Sequence, residues 1–132
     1  MLVATLAGLG LEFVLVGSAA LRAMGRNYHV HDVDVVVRPS ETNLHLLHAV
    51  LSDISLDKSR VPRLGEFRSR DIVRIETAFA PLDCMLRTGR SCWETLRSRS
   101  CVLRMWDTNV RVGGIGDVLA LRRCFKAGST DE

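Results

Sequence analysis

Residues 14–37 read VLVGSAALRAMGRNYHVHDVDVVV, and this stretch decides the fold. Its first three residues belong to the apolar run Phe13–Val16, which predicts a short β-strand that stops at Gly17. Ser18 follows at once and is expected to cap a helix over residues 18–23, because its hydroxyl can accept a hydrogen bond from a free backbone N–H of the first turn. The stretch therefore predicts a strand, a tight turn and a helix in immediate succession.

The end of the same stretch, His31–Val37, predicts a second strand by its alternation of side chains. Every second residue is a valine and must be buried, whereas Asp32 and Asp34 share the opposite face, about 6.5–7 Å apart. Two like charges at this spacing are costly unless a cation neutralises them, and hard carboxylate oxygens suit Mg²⁺, singly or as a metal pair. A solvated sheet face carrying both aspartates is the alternative at this point.

Two further features favour a metal-dependent site. The Gly17-Ser18 turn opens a helix, whose free N–H groups attract anions, and glycine lets the backbone approach a phosphate closely. Asp83 lies in a second apolar stretch, Pro81–Leu86, where a carboxylate needs a partner or a metal. If that strand pairs beside the Asp-x-Asp strand, three carboxylates converge opposite a phosphate-binding turn, the layout of metal-assisted phosphoryl or nucleotidyl transfer.

The rest of the chain predicts one small α/β (α+β) domain over residues 1–132, with a mixed sheet flanked by helices. Ser40 is expected to cap a helix with an apolar stripe, and residues 57–70, rich in arginine, are expected to form a long exposed loop. The other predicted elements are a helix over 2–9, strands over 72–77 and 82–86, a helix over 91–98, a hairpin of strands 101–106 and 109–112, and a helix over 115–126 that ends at Gly128.

The combined pattern resembles the nucleotidyltransferase superfamily that includes polymerase beta. In that superfamily a Gly-Ser or Gly-Gly pair opens a helix, an Asp-x-Asp strand follows, and a later strand carries a third carboxylate. Residues 76–96, ETAFAPLDCMLRTGRSCWETL, fit the third-carboxylate region, and residues 110–123, VRVGGIGDVLALRR, resemble the closing strand and helix. The most similar group is that of minimal, one-domain bacterial nucleotidyltransferases, including those of toxin–antitoxin systems.

This resemblance implies a nucleotidyltransferase fold and a Mg²⁺-dependent reaction. A nucleoside monophosphate would move from a nucleoside triphosphate to a hydroxyl of a small molecule, a protein side chain or tRNA, with release of pyrophosphate. Carried over residue by residue, Asp32, Asp34 and Asp83 would be catalytic and ligate the metal, with Asp83 as the base on the acceptor hydroxyl. The nucleotide phosphates would be bound by Gly17, Ser18 and Arg26.

Two other classes of function stay open on the sequence. One is a catalytically weak or inactive, antitoxin-like binding module that works by contact with a partner protein or a second copy of itself. The other is RNA binding through the basic segment 58–74, whose cations could contact phosphates. The cations proposed to make these contacts are Lys58, Arg60, Arg63, Arg68 and Arg70.

Composition narrows the classes further. The net charge of +3 is too small to indicate a nucleic-acid-binding protein, but residues 1–57 carry −3 and residues 58–132 carry +6. We interpret the acidic half as supplying metal ligands and the basic half as facing a triphosphate.

The chain has no run of 18 apolar residues, its N-terminal residues lack a basic segment, and its four cysteines form no Cys-x-x-Cys pair. A cytoplasmic protein with free thiols and no membrane segment is therefore expected.

Overall fold

The computed structural model describes residues 2–87 and 93–130, and side chains up to Arg122. In this part of the chain a six-stranded mixed sheet is flanked by five α-helices, so the predicted fold class is confirmed. The elements are α1 Leu2–Gly8, β1 Phe13–Val16, α2 Gly17–Ala23, β2 Val33–Val37, α3 Glu41–Ile54, two 3₁₀ helices at Lys58–Arg60 and Leu64–Arg68, β3 Ile72–Ile75, β4 Leu82–Met85, α4 Trp93–Arg99, β5 Cys101–Met105, β6 Thr108–Val112 and α5 Ile115–Thr130.

The strand order is β3-β4-β2-β1-β6-β5. The pairs β2–β4 and β1–β6 are parallel, whereas β1–β2, β3–β4 and β5–β6 are antiparallel. The central strands β1 and β2 are the most apolar segments of the chain, and all their residues except Asp34 are buried. The sequences of β1 and β2 agree with this burial, because a strand that is covered on both faces has a nearly continuous run of apolar residues.

Helix α3 is joined to both central strands by one buried amide. Ser40 caps the helix as predicted, accepting a hydrogen bond from the Asn43 backbone N–H. The Asn43 side chain accepts from the Glu12 backbone N–H and donates to the carbonyls of Glu12 and Arg38, all at 2.9 Å. Since Glu12 precedes β1 and Arg38 follows β2, this side chain fixes the helix against the sheet.

Two boundaries differ from the predictions at the centre of the fold, the start of α2 and the start of β2. Ser18 is not the helix cap, because α2 already begins at Gly17, the cap position is Val16, and no side chain caps it. The positive φ of Gly17, 69°, lets the chain turn directly from the strand into the helix. Strand β2 begins at Val33, so Asp32 lies just before it.

Two other predicted segments also differ. The expected loop over 57–70 contains both 3₁₀ helices. Its Phe67 side chain is buried in the core, and Val61 and Leu64 pack against the core as well. Helix α5 continues past Gly128 to Thr130. Helix α4 spans Trp93–Arg99, and the first two residues of the predicted helix 91–98 lie outside the described residues.

Cys84 and Cys101 are free thiols, as expected, while Cys92 and the side chain of Cys124 lie outside the described residues. Among the helices that are described, none combines the length and the apolar character needed to cross a bilayer.

The hydrogen bonds of Asn43 generate a stability prediction. Asn43→Ala leaves one buried N–H and two carbonyl groups without this partner, so we expect the free energy of unfolding to fall by about 2–3 kcal/mol. Urea denaturation followed by circular dichroism measures this change. Asn109→Ala, which removes an exposed amide from β6, is the control and should cost less than about 0.5 kcal/mol. An equal loss in both variants would contradict the role assigned to Asn43.

Candidate functional site

Three neighbouring strands bring the predicted acidic residues together. In the β1–β2 ladder Val16 lies opposite Asp34, and in the β2–β4 ladder Asp34 lies opposite Asp83. Asp32 lies just before β2, and the Arg74 guanidinium links it to this pair by donating to both Asp32 and Asp83. The Asp83 strand therefore pairs beside the Asp34 strand, as the three-carboxylate prediction required, and the pairing is parallel.

Gly17 packs directly against one of these carboxylates. A Cβ atom built on Gly17 would overlap Asp34 Oδ2 and press on its Cβ and Cγ atoms. The backbone at this position also has a φ of 69°, which side-chain-bearing residues rarely adopt. Both constraints require glycine here, and they place the start of α2, with the half-buried Ser18, at the edge of the acidic cluster.

The carboxylates strongly affect one another's protonation. The pKa of Asp34 is raised to about 7, first by burial and then by the charge of Asp83, with which it shares a hydrogen bond. Burial also raises the pKa of Asp83, against the opposing pull of Arg74. Two carboxylates this close favour holding one proton between them, so near neutral pH the pair is partly protonated.

Arg74 is the counter-ion of the cluster, and the sequence analysis did not assign it to the site. Its Nη1 atom donates to Asp83 Oδ2 at 2.7 Å and to Asp32 Oδ2 at 3.2 Å. The β3–β4 register explains the position, because Arg74 lies opposite Asp83. Its hydrogen bond to Asp32 is the main cause that raises the pKa of Arg74.

A cavity of about 400 Å³ opens over the cluster. Its volume lies within the range of small-molecule sites. Five of the six predicted site residues line it, namely Gly17, Ser18, Asp32, Asp34 and Asp83. The sixth, Arg26, is exposed and does not line the cavity. Its predicted contact with a nucleotide phosphate stays a prediction.

The cavity wall contains further residues that sequence reasoning missed. His29 and His31 meet edge to face, with ring centroids 4.3 Å apart, and both line the cavity. Arg122 of α5 also lines it and stacks over the Tyr28 ring at 5.0 Å. The position of the two histidines directly before the Asp-x-Asp strand was a usable signal, whereas the approach of Arg122 depends on how α5 packs.

The donor set suits a hard cation, because its three carboxylates carry more negative charge than one guanidinium neutralises. Among the described residues, however, no three His, Cys, Asp or Glu side chains stand in an arrangement ready to hold a metal ion. The Arg74 Nη1 atom instead contacts two of the three carboxylates. The residues therefore fit Mg²⁺ in their donor chemistry, whereas their arrangement in this structure is that of an ion-pair cluster.

The comparisons with known proteins support the fold. No protein-family model matches the sequence, and no curated protein matches it. A solved structure that resembles this chain is that of a candidate nucleotidyltransferase from Thermotoga maritima, with a TM-score of 0.62 and 17% identity. The similarity covers 92% of this chain and 81% of the other. The nucleotidyltransferase fold that the sequence resemblance implied is therefore supported by a structural neighbour.

The raised pKa of Asp34 predicts a pH-dependent penalty on stability. Between the ordinary pKa of 3.8 and about 7, the unfolded chain loses the Asp34 proton while the folded chain retains it. The folded state then binds more protons, so this group lowers the free energy of unfolding as pH rises through that window. Asp34→Asn cannot ionise and can still donate a hydrogen bond to Asp83. In EDTA at pH 8 we expect it to be more stable than the wild type by roughly 1–3 kcal/mol.

Urea denaturation at pH 4.5 and pH 8 tests this expectation, and the gain at pH 4.5 should be much smaller. Asp53→Asn, at an exposed position on α3, is the matched control and should show the same small difference at both pH values. If Asp34→Asn is no more stable than the wild type at pH 8, ionisation of Asp34 does not lower the free energy of unfolding.

Proposed function

We propose that the protein is a Mg²⁺-dependent nucleotidyltransferase that transfers a nucleoside monophosphate from a nucleoside triphosphate to a hydroxyl acceptor. One observation carries the proposal. The parallel pairing of β2 with β4 sets Asp83 beside Asp34, and the Gly17-Ser18 turn lines the same cavity. Carboxylates that line a cavity of about 400 Å³ beside the start of a helix suit phosphoryl chemistry, and the structural neighbour from Thermotoga maritima is described as a candidate nucleotidyltransferase.

In this proposal Asp32, Asp34 and Asp83 would hold the metal. When bound, Mg²⁺ would neutralise the charge of the triphosphate and favour ionisation of the acceptor hydroxyl. Asp83 would take the acceptor proton on a carboxylate oxygen. The acceptor oxygen then forms a bond to the α-phosphorus, and the bond from that phosphorus to the pyrophosphate oxygen breaks.

The other cavity residues would bind and orient the nucleotide. The Gly17 backbone can approach a phosphate closely because it has no side chain, and the Ser18 hydroxyl can donate to a phosphate oxygen. Arg122 supplies a cation on the wall of the cavity and would take the phosphate-binding role that the sequence analysis gave to Arg26. These contacts would align the α-phosphorus with the acceptor.

The acceptor stays a choice among small molecules, protein side chains and tRNA. The basic segment gives tRNA little support, because most of its cations are already used within the chain. Arg60 pairs with Asp57, Arg68 with Glu41, and Arg70 with Glu66. Lys58 donates to backbone carbonyl groups at the end of α3.

The salt bridge of Arg74 also favours a second candidate function, a non-catalytic binding module of the antitoxin type. A guanidinium held by Asp32 and Asp83 satisfies these carboxylates without a metal. Such a module would act through a partner protein and would transfer no nucleotide. The activity measurement below separates the two candidates.

The proposed metal ligands predict a loss of transfer on substitution. The purified chain is incubated with each α-labelled nucleoside triphosphate, Mg²⁺, and fractions of tRNA, cell protein and small molecules. We expect one fraction to acquire label, and Asp32→Asn or Asp83→Asn to lower the rate by about a hundredfold or more, because metal stabilisation of several kcal/mol is lost.

Asp53→Asn is again the control and should label at the wild-type rate. Unchanged labelling by the Asp32 and Asp83 variants would rule out the proposed chemistry. Absence of label in every fraction, together with a partner protein that copurifies, would favour the binding module.

A further inference from the structure

One arginine lies where the proposed metal would have to bind. The Arg74 Nη1 atom lies 2.7 Å from Asp83 Oδ2 and 3.2 Å from Asp32 Oδ2. An Mg²⁺ ion binds carboxylate oxygens at about 2.0–2.1 Å and carries two positive charges. The ion and the guanidinium therefore compete for the same oxygens and repel each other when both are present.

The surroundings of Arg74 allow it to leave. Its side chain is 47% exposed and lies on β3, the edge strand of the sheet, so its movement displaces no core residue. Glu76, which follows two residues later and faces the same way, has its Oε1 atom 4.0 Å from Arg74 Nε. The exposed Glu76 carboxylate can pair with the Arg74 guanidinium once the guanidinium has left the two aspartates.

We propose that Arg74 is a built-in competitor of the divalent cation, which holds the aspartate cluster together in the metal-free protein and is displaced when the metal binds. The proposal rests on the proposed function in one respect, the assignment of Asp32, Asp34 and Asp83 as metal ligands. It goes beyond that function, because it makes metal affinity depend on a residue that is not a ligand. Arg74 is in this sense a positioning residue of the cluster.

Metal affinity in the absence of nucleotide tests the competition directly. Mn²⁺, as a paramagnetic probe for the Mg²⁺ site, is titrated into the full chain and its free fraction is followed by electron paramagnetic resonance. Arg74→Gln removes the competing charge, so we expect its dissociation constant for Mn²⁺ to be at least about tenfold lower than that of the wild type. Arg74→Lys keeps a charge and should stay within about threefold of the wild type.

Arg104→Gln is the matched control, because Arg104 is an exposed arginine of the opposite edge strand, β5, and its loss changes the net charge equally. It should bind Mn²⁺ as the wild type does. Equal affinities in the wild type and Arg74→Gln, or no measurable binding by either, would overturn the proposal. A gain of the same size in Arg104→Gln or Arg74→Lys would overturn it as well.

A measurement on the wild type keeps the proposal testable if Arg74→Gln does not fold. Nitrogen-15 NMR follows the Nε–Hε resonances of arginine side chains, and saturating Mg²⁺ should shift that of Arg74 and leave that of Arg104 in place. An unmoved Arg74 resonance at saturation would contradict displacement.

The two proposals fail in different ways. If Arg74→Gln binds Mn²⁺ more tightly but no nucleotide transfers its label, the proposed function is wrong and the proposed competition between Arg74 and the metal is supported. If the wild type transfers label but Arg74→Gln binds Mn²⁺ no more tightly than the wild type, the proposed function is supported and the proposed competition is wrong.

Discussion

The contact between Gly17 and the Asp34 carboxylate is the constraint on which the rest of the site depends. Strand β1 must turn into α2 within one residue, directly beside a carboxylate of β2, and only a residue without a Cβ atom fits there. Because β1 and β2 are both buried, neither strand can shift to relieve a clash. The turn and the acidic cluster are thus fixed by the same packing.

Placing three carboxylates beside that turn has an electrostatic cost, and the structure offsets it in two ways. One is a proton held between Asp34 and Asp83, to which the raised pKa of Asp34 corresponds. The other is Arg74, which donates to Asp32 and Asp83 together. Under our proposal both would be given up to a divalent cation, since a proton can leave to solvent and Arg74 is on an exposed edge. The proton and the guanidinium would then stabilise the cluster until the metal replaces them.

Much of this arrangement could be predicted from the sequence, because it depends on local patterns. The Asp-x-Asp pattern marked Asp32 and Asp34, although only Asp34 lies on the strand, and an acidic residue within an apolar run marked Asp83. Which strands become neighbours depends on long-range pairing, so the approach of Arg74 to the cluster could not be read from β3 alone. Ser18 was misassigned for a related reason. A serine after a strand is typical of a helix cap, but the conformation of Gly17 starts the helix one residue earlier.

The charge asymmetry of the chain takes on a different meaning in the folded protein. The sequence suggested that the basic second half faces a ligand, but several of its arginines pair with acidic residues of the first half. Arg74 reaches Asp32 across 42 residues of sequence, and Arg68 reaches Glu41 across 27. These two ion pairs therefore join the first half of the sequence to the second. Among the basic residues beyond residue 57 whose side chains the structure describes, Arg122 lines the cavity, and Arg74, bound to the aspartates, is the one that a metal would release under our proposal.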